Sequence, residues 1–304
     1  MNELQEEIDA INFADRDELS LTIGVGWNTY LKILFPMMPF LLVCAALPAA
    51  IIAAIPFDQI TQNMGVSRAL TTQMRIEQIV TAPFGAVVAL TAIVACVRAM
   101  ACNRLGVFAD FKTAMRRFLP MLGSGILLGL IFFGIVVAFL ILAVLSMSFF
   151  KLLAVPVLLA MVCLMVMLVI KYTFIGASVV AGGMSGMAAL RESAGLVKGC
   201  WWATFGVIFL CGLVGALLQI PSFCAGLIEG QVIGRWDGYA VKAVLGTVTI
   251  SLGFAATVFG VTANTTLYLI RRSKARAAAG FGPDPAQGAS QGGDGEQGYR
   301  PDGE

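Results

Sequence analysis

Groups that could do chemistry are scarce in this chain. None of its 304 residues is a histidine, which removes the commonest general base and the commonest metal ligand. The sequence also contains no GxxxxGK[ST] phosphate loop, no GxGxxG turn and no GxSxG nucleophile elbow. We therefore predict that the protein is not an enzyme and that it uses no cofactor and no metal.

The remaining polar side chains within apolar runs are predicted to be structural. Hydroxyls in a helix bundle usually bond to backbone carbonyls, and these have no base nearby in the sequence. They belong to Thr91, Ser124, Ser146, Ser148, Thr262, Thr265 and Thr266. We expect Asn264 to hydrogen-bond to another helix and Arg98 to extend towards the membrane surface. A functional role for Arg98 stays open, because a charge at membrane depth is a candidate functional group by default.

Lysines and arginines near the ends of apolar runs are the residues that could form a working surface. At headgroup level, each base is worth about 1 kcal/mol next to an anionic leaflet, so together they could bind lipid or an acidic partner. The candidate contacts are Lys32, Arg104, Lys112, Arg116, Arg117, Arg191 and Lys198. The alternative is that these bases are a topology signal and nothing more.

Membrane-spanning helices must position these groups. Hydrophobic residues make up 59% of the chain and charged residues 12%, too few to cover a water-exposed surface. Six uncharged runs reach the roughly 17–25 residues that a crossing requires. They are 33–57, 78–97, 118–150, 152–170, 199–228 and 243–270. We predict an all-α integral membrane protein with six transmembrane helices, and we exclude 172–190 as a seventh because it is rich in glycine.

The distribution of basic residues predicts the orientation. With six crossings, most loop bases fall on one side, which the positive-inside rule identifies as the cytoplasm. They are Arg16, Lys32, Arg104, Lys112, Arg116, Arg117, Arg191, Lys198, Arg271, Arg272, Lys274 and Arg276. Both termini are then cytoplasmic, in the inner membrane of a bacterium. Residues 1–18 form an acidic tail, unlike the basic start of a signal peptide.

Three amphipathic segments precede crossings and suggest a repeated unit. We expect surface helices over 19–35 and 104–119 that turn at Pro36 and Pro120, and a third over 176–198 that ends at two tryptophans. Pro36, Pro120 and Trp202 follow one another at intervals of 84 and 82 residues. This spacing suggests repeats over 19–103, 104–175 and 176–276. The tail over 277–304 is too polar to pack and is predicted to be disordered.

Aromatic and small residues complete the predicted membrane packing. The interfacial anchors are predicted to be Trp27, Trp201, Trp202 and Tyr268. Two pairs at four-residue spacing, Gly125 with Gly129 and Gly212 with Ala216, would permit close helix approach. The seven cysteines show no CxxC spacing and are predicted to be small packing residues.

The segment AALRESAGLVKGCWW at 188–202 resembles the membrane domain that precedes glycerophosphodiester phosphodiesterase catalytic domains, and its stand-alone bacterial relatives. The family pattern is A-L-R-x-S-x-x-L-x-x-G followed by an aromatic residue. It is matched here by Ala189, Leu190, Arg191, Ser193, Leu196, Gly199 and Trp201.

Both ends of the apolar region carry the same resemblance. The ending TLYLIRRSKAR is similar to the family's last helix through Leu267, Tyr268, Arg271 and Arg272, and GWNTYLKILFP is similar to its first segment. The resemblance implies a fold and a membrane setting. It implies no activity, because the sequence leaves no room for the catalytic barrel.

Two functions are compatible with these features. The first is a non-enzymatic inner-membrane protein whose cytoplasmic amphipathic helices engage anionic lipid, a protein partner or a second copy of the chain. The alternative is a small-molecule transporter or permease, which a polar cavity between the helices would favour. No nucleic-acid partner is expected.

Overall fold

A computed structural model describes residues 18–55, 66–101, 106–149, 154–233 and 239–278, and this part of the chain is helical apart from short connections. Six long helices have the length and composition to cross a membrane, as predicted. The helices are α1 (Glu18–Ala53), α2 (Val66–Ala101), α3 (Val107–Phe149), α4 (Ala154–Lys171), α5 (Ile175–Val180), α6 (Met187–Val197), α7 (Trp201–Ile233) and α8 (Tyr239–Ala278).

The core lies where α1, α2 and α8 pack together. Apolar residues of α1 recur every three or four positions, so one face is buried, as at Tyr30, Ile33 and Met37. The Tyr30 ring meets the Phe259 ring edge-on, with centroids 5.4 Å apart. Near the other end of α1, the Tyr239 hydroxyl donates to the Ala50 carbonyl at 3.3 Å. The first and last crossings are therefore antiparallel neighbours.

The hairpin formed by α3 and α4 is peripheral. Only 6% of the most apolar stretch of each span is buried inside the protein. Large apolar side chains such as Leu130, Phe133 and Leu159 are exposed along these helices. In a membrane these faces contact lipid. Soluble monomers rarely expose apolar patches of this size to water. The chain is a multi-pass membrane protein.

Two of the three predicted surface helices are not separate elements. Pro36 lies inside α1 and Pro120 lies inside α3, so no break divides the amphipathic segment from the crossing that follows. Proline removes one intrahelical bond, but in lipid a complete break would leave several more backbone groups unsatisfied. The turns predicted at these prolines are wrong, and the threefold repeat stays a prediction.

The third amphipathic segment, predicted as one helix over 176–198, is divided into α5 and, after a short loop, α6. Helix α6 begins after Gly186, which has φ +56°, and the chain turns again at Gly199, which has φ +84°. Both conformations are left-handed and favour glycine. The stretch over 172–190 contains the six-residue α5 and a short loop, which agrees with its exclusion as a crossing.

The predicted small-residue contacts are not the ones that the fold uses. A Cβ atom at Gly125, Gly129 or Gly212 would have no neighbour within 4 Å, so these glycines face open space. At Gly26, by contrast, a Cβ atom would lie 3.7 Å from the Ala263 backbone of α8. Close helix approach therefore occurs between α1 and α8, where the sequence pattern did not indicate it.

The prediction about cysteine packing holds for only part of the set. Cys44 and Cys96 are buried in the core, whereas Cys163, Cys200 and Cys224 are exposed and Cys211 is half-buried. Exposure of an uncharged thiol costs little on a lipid-facing surface, so apolar context did not predict burial. Cys102 and the tails over 1–17 and 279–304 lie outside the described residues. The last helix continues to Ala278, so it includes the first two residues of the predicted C-terminal tail.

Candidate functional site

Basic side chains line an open cleft between α6, the turn before α7 and the end of α8. The cleft has a volume of about 690 Å³. Its charged lining residues are Lys198, Arg271, Arg272, Lys274 and Arg276, together with one carboxylate, Glu192. We call this region the basic cleft. A concave surface with five positive groups and one negative group favours an anionic occupant.

Helix α6 is held in place by a buried serine. The Ser193 side chain is fully buried, accepts a hydrogen bond from the Phe174 backbone N–H at 3.2 Å and donates one to the Lys171 carbonyl at 3.0 Å. Lys171 is the last residue of α4, and Phe174 lies in the turn just before α5. Before α6, the Gly186 backbone N–H donates to the Ser124 hydroxyl of α3 at 2.8 Å. The short helix is therefore bonded to two crossings.

Glu192 projects from α6 towards α8 and binds two of its residues. The Tyr268 hydroxyl donates to Glu192 Oε1 at 3.1 Å, and Arg272 Nε lies 3.5 Å from the same oxygen. Arg272 also donates to the Ala181 carbonyl at 3.4 Å, and its guanidinium lies 5.8 Å from the centre of the Tyr268 ring. These contacts fix the arginine in the wall of the basic cleft.

The loop beside this network has no room for a side chain. A Cβ atom at Gly182 would collide with the Ser178 carbonyl oxygen. It would also lie 2.9 Å from both Glu192 Oε2 and the Tyr268 hydroxyl. The absence of a side chain at Gly182 lets the loop approach the carboxylate closely.

Arg271 forms the deepest part of the basic wall. Only 4% of its surface is exposed, and Nη1 donates to the Thr204 hydroxyl of α7 and, at 3.3 Å, to the Leu196 carbonyl of α6. The guanidinium lies 5.9 Å from the centre of the Phe174 ring. One arginine therefore joins three helices and the turn before α5 while contributing charge to the cleft.

A second buried charge pair lies between α2 and α3. Arg98 Nη1 is 2.6 Å from Asp110 Oδ1, and Asp110 is 1% exposed while the arginine side chain keeps 25% of its surface exposed. Arg98 also donates to the Thr113 hydroxyl at 3.4 Å. The expectation that Arg98 extends towards the membrane surface stays a prediction, and the structure adds a partner that the sequence did not suggest, a carboxylate in the first turn of the next helix.

Of the six proposed bases that the structure describes, only Lys198 lines the basic cleft. Lys32, Lys112, Arg116 and Arg191 are exposed on α1, α3 and α6, and Arg117 is half-buried. Arg104 lies outside the described residues. The other basic residues that line the cleft belong to the end of α8, where Arg271 and Arg272 are consecutive.

The predicted aromatic anchors divide into two groups. Trp202 is 76% exposed and Trp27 is 39% exposed, while Trp201 is half-buried and stacks on Phe205 at 5.8 Å. Tyr268 is fully buried and donates to Glu192, so it is part of the charge network and not an anchor at the membrane surface. Its place next to the final arginines suggested an interface residue, but packing against Phe174 encloses it.

The polar residues within the crossings mostly satisfy backbone groups, as predicted. Asn264 Nδ2 donates to the Thr173 carbonyl at 2.8 Å, so the amide bonds outside its own helix, but to the turn between α4 and α5 and not to another helix as predicted. The hydroxyls of Thr91, Ser124, Ser146, Thr265 and Thr266 each donate to the carbonyl four residues earlier. The Thr262 hydroxyl has no partner among the described residues, and the Ser148 side chain lies outside them.

A cavity of about 250 Å³ lies between α7 and α8. Apolar and small residues make up most of its lining, and Asn264 and Thr173 supply the polar groups. Such a lining suits an apolar occupant better than a polar solute, so this cavity gives the transporter alternative no support. The described residues contain no group of three or more cysteines and carboxylates placed to hold a metal ion.

Sequence reasoning missed the basic cleft because each of its residues fits a simpler local role. Arg271 and Arg272 match the pattern of orientation signals, and Glu192 looks like one charge on a helix surface. A signal was available at the position where two arginines follow a run of 28 uncharged residues (243–270), because such residues pack close to the bundle. Asp110 gave no signal, since its partner is 12 residues earlier and across a turn.

No protein-family model matches the chain, and neither a curated protein nor a solved structure is significantly similar to it.

Proposed function

We propose that the protein is a non-enzymatic component of the bacterial inner membrane that binds the phosphate headgroup of an anionic lipid in the basic cleft. The observation that carries this proposal is the excess of five bases over one carboxylate in a single concavity between α6, the turn that follows it and the end of α8. The same bases could bind an acidic protein. The neighbouring helices expose apolar faces that would contact lipid, so the cleft would lie beside the membrane and a lipid headgroup is the favoured ligand.

The arrangement of the bases suits a phosphate group. Arg271 and Arg272 are held by hydrogen bonds and by aromatic rings, so little side-chain entropy remains to be lost on binding. Guanidinium groups can bind phosphate through two parallel hydrogen bonds. Lys198 is exposed at the rim, where a flexible ammonium group can follow the ligand. The fixed arginines Arg271 and Arg272 and the exposed Lys198 would together form a headgroup site.

We expect removal of the rim charges to weaken lipid binding. The triple variant Lys198→Gln, Lys274→Gln, Arg276→Gln should lower the affinity for phosphatidylglycerol by roughly 100-fold, at about 1 kcal/mol for each base. The measurement is lipid retention by protein in phosphatidylcholine nanodiscs that contain a small fraction of phosphatidylglycerol. Because these three side chains are not buried, the fold should persist.

A matched control removes the same charge from α3. The variant Lys112→Gln, Arg116→Gln, Arg117→Gln changes the bases that the sequence favoured, outside the basic cleft. It should retain lipid as the unmodified protein does. If both triple variants lose lipid equally, binding reflects overall charge and the cleft is not the site. If neither loses lipid, the bases are only a topology signal.

The proposal also requires that the cleft faces the cytoplasm. The clustering of loop bases predicts that both termini are cytoplasmic, with the connection after α1 on the other side. Single cysteines at Gln59 and Ala279, in a background without other cysteines, should therefore differ in labelling. Impermeant maleimide added to intact cells should label Gln59→Cys and not Ala279→Cys. Labelling of Ala279→Cys would show that the topology is the opposite of the predicted one and that the cleft does not face the inner leaflet.

A further inference from the structure

The chain carries an acidic segment whose charge is opposite to that of the basic cleft. Residues 1–17 contain one base and six acids, which are Glu3, Glu6, Glu7, Asp9, Asp15 and Asp17. The cleft is lined by five bases and one carboxylate. We call residues 1–17 the acidic segment. Opposite charges of this number attract each other strongly if the segment leaves the bundle near the cleft.

The packing of α1 against α8 has one constant antiparallel register. Three contacts define it: Ala50 with Tyr239, Tyr30 with Phe259, and Gly26 with Ala263. From each contact to the next, the two helices advance by the same number of residues in opposite directions, first 20 and then 4. Because both helices rise by about 1.5 Å per residue, the register does not drift along their length.

This register places the start of α1 level with the basic cleft. Helix α1 begins at Glu18, eight residues before Gly26, and the residue eight positions after Ala263 is Arg271, which lines the cleft. A helix is about 10–12 Å across, so roughly five extended residues are enough to pass around α8. The acidic segment therefore starts at the level of the cleft and is long enough to enter it.

Two other arrangements are less favourable. An anionic leaflet attracts bases and repels the acidic segment. The C-terminal tail over 279–304 also begins near the cleft, but it has five acids in 26 residues, compared with six in 17 for the acidic segment. Four of those six lie within seven residues, between Glu3 and Asp9, so several can approach the bases together. Charge density therefore favours the acidic segment as the occupant.

We propose that the acidic segment binds in the basic cleft of its own chain and competes there with the anionic lipid headgroup. Because the segment is tethered, its effective concentration at the cleft is on the order of 4 mM. A segment with an intrinsic Kd of about 1 mM then occupies the cleft in most molecules and lowers the apparent lipid affinity about fivefold. The competition rests on the proposed headgroup function, whereas binding of the segment does not.

The first test locates the segment without any lipid. Cys200 is exposed and lines the cleft, so it can form a disulfide with a cysteine in a bound segment. Cys44 and Cys96 are buried and are kept, and the remaining four cysteines are replaced by alanine. On oxidation with copper phenanthroline, Gln5→Cys should crosslink to Cys200 within one chain at least about fivefold faster than Gln291→Cys does.

These two glutamines are matched positions. Gln5 is thirteen residues before the start of α1, and Gln291 is thirteen residues after the end of α8. Tethering alone would therefore give similar crosslinking rates. Mass spectrometry of the unreduced protein identifies the linked peptides. A disulfide-linked dimer in place of the internal crosslink would put the segment in the cleft of a second copy and would overturn the intramolecular binding.

The second test removes the charge of the segment in the full chain. The variant Glu3→Gln, Glu6→Gln, Glu7→Gln, Asp9→Asn should slow the Gln5→Cys crosslink to the rate of Gln291→Cys. With all native cysteines present, the same four substitutions should raise the affinity for phosphatidylglycerol in phosphatidylcholine nanodiscs about fivefold. The control removes four acids from the C-terminal tail, and it should change neither quantity. Its substitutions are Asp284→Asn, Asp294→Asn, Glu296→Gln and Asp302→Asn.

The outcomes separate this inference from the proposed function. If Gln5→Cys and Gln291→Cys crosslink equally fast, or if neutralising the segment leaves the crosslink unchanged, the segment does not bind and the inference is overturned. If the crosslink is selective but no variant binds phosphatidylglycerol, the headgroup function is wrong and binding of the segment is supported. If the neutralised and unmodified proteins bind the lipid equally, the competition is overturned.

Discussion

Replacing Glu192 by alanine should lower the free energy of unfolding by about 3–5 kcal/mol, as expected when one partner of a buried ion pair is removed. The carboxylate keeps 14% and Arg272 keeps 11% of their side-chain surface exposed, so water cannot easily replace the lost charge. The Tyr268 hydroxyl would lose its acceptor as well. The measurement is thermal unfolding in detergent, followed by the fraction of monodisperse protein.

The neighbouring residue supplies the control for this prediction. Arg191 is charged and lies on the same helix, but its side chain is exposed. Arg191→Ala should therefore change stability by at most about 0.5 kcal/mol. The double variant Glu192→Leu, Arg272→Met should recover much of the loss, because it removes both charges together. Equal stability of the two single variants would show that the buried network does not hold α6 against α8.

The six crossings could be predicted from sequence because lipid imposes a simple rule. A helix must run for about 20 apolar residues with its backbone groups bonded internally, so uncharged runs reveal it. The prediction that 172–190 does not cross also held, since this stretch contains the six-residue α5, a short loop and the start of α6. Local composition was sufficient for these elements.

The breaks within the helices could not be predicted in the same way. Pro36 and Pro120 looked like turn points because proline ends helices in water, where a freed carbonyl finds a solvent partner. Both residues lie inside continuous helices here. The helix is interrupted at the Lys198–Cys200 turn, where Gly199 adopts a positive φ angle. In a membrane, a helix break costs more free energy because the freed backbone groups have no water to bond to. The spacing of prolines in the sequence gives no information about that free energy.

The candidate site was still harder to predict because it is built from distant segments. Arg271 reaches Thr204 across 67 positions, and Tyr268 reaches Glu192 across 76. Each of these residues, taken alone, is equally consistent with a surface charge or an interface aromatic. Burial turns them into a network, and burial depends on how α6 packs against α8. Periodicity within one helix carries no information about that contact.

The pair between Arg98 and Asp110 leads to the second large expected effect. Asp110→Ala should destabilise the protein by about 3 kcal/mol, the low end for buried pairs, because Arg98 keeps 25% of its side-chain surface exposed and water can partly solvate it. Asp110 also lies in the first turn of α3, where a negative charge is favoured by the helix dipole. The readout is the detergent unfolding temperature, together with proteolysis of the connection between α2 and α3.

Lys112 serves as the matched control, since it lies two residues later on α3 with an exposed side chain. Lys112→Ala should leave the unfolding temperature nearly unchanged. The double variant Arg98→Met, Asp110→Leu should be more stable than Asp110→Ala alone, because no buried charge is left without its partner. If Asp110→Ala unfolds at the same temperature as Lys112→Ala, then Arg98 is solvated well enough from the surface, and the carboxylate does not stabilise the contact between the two crossings.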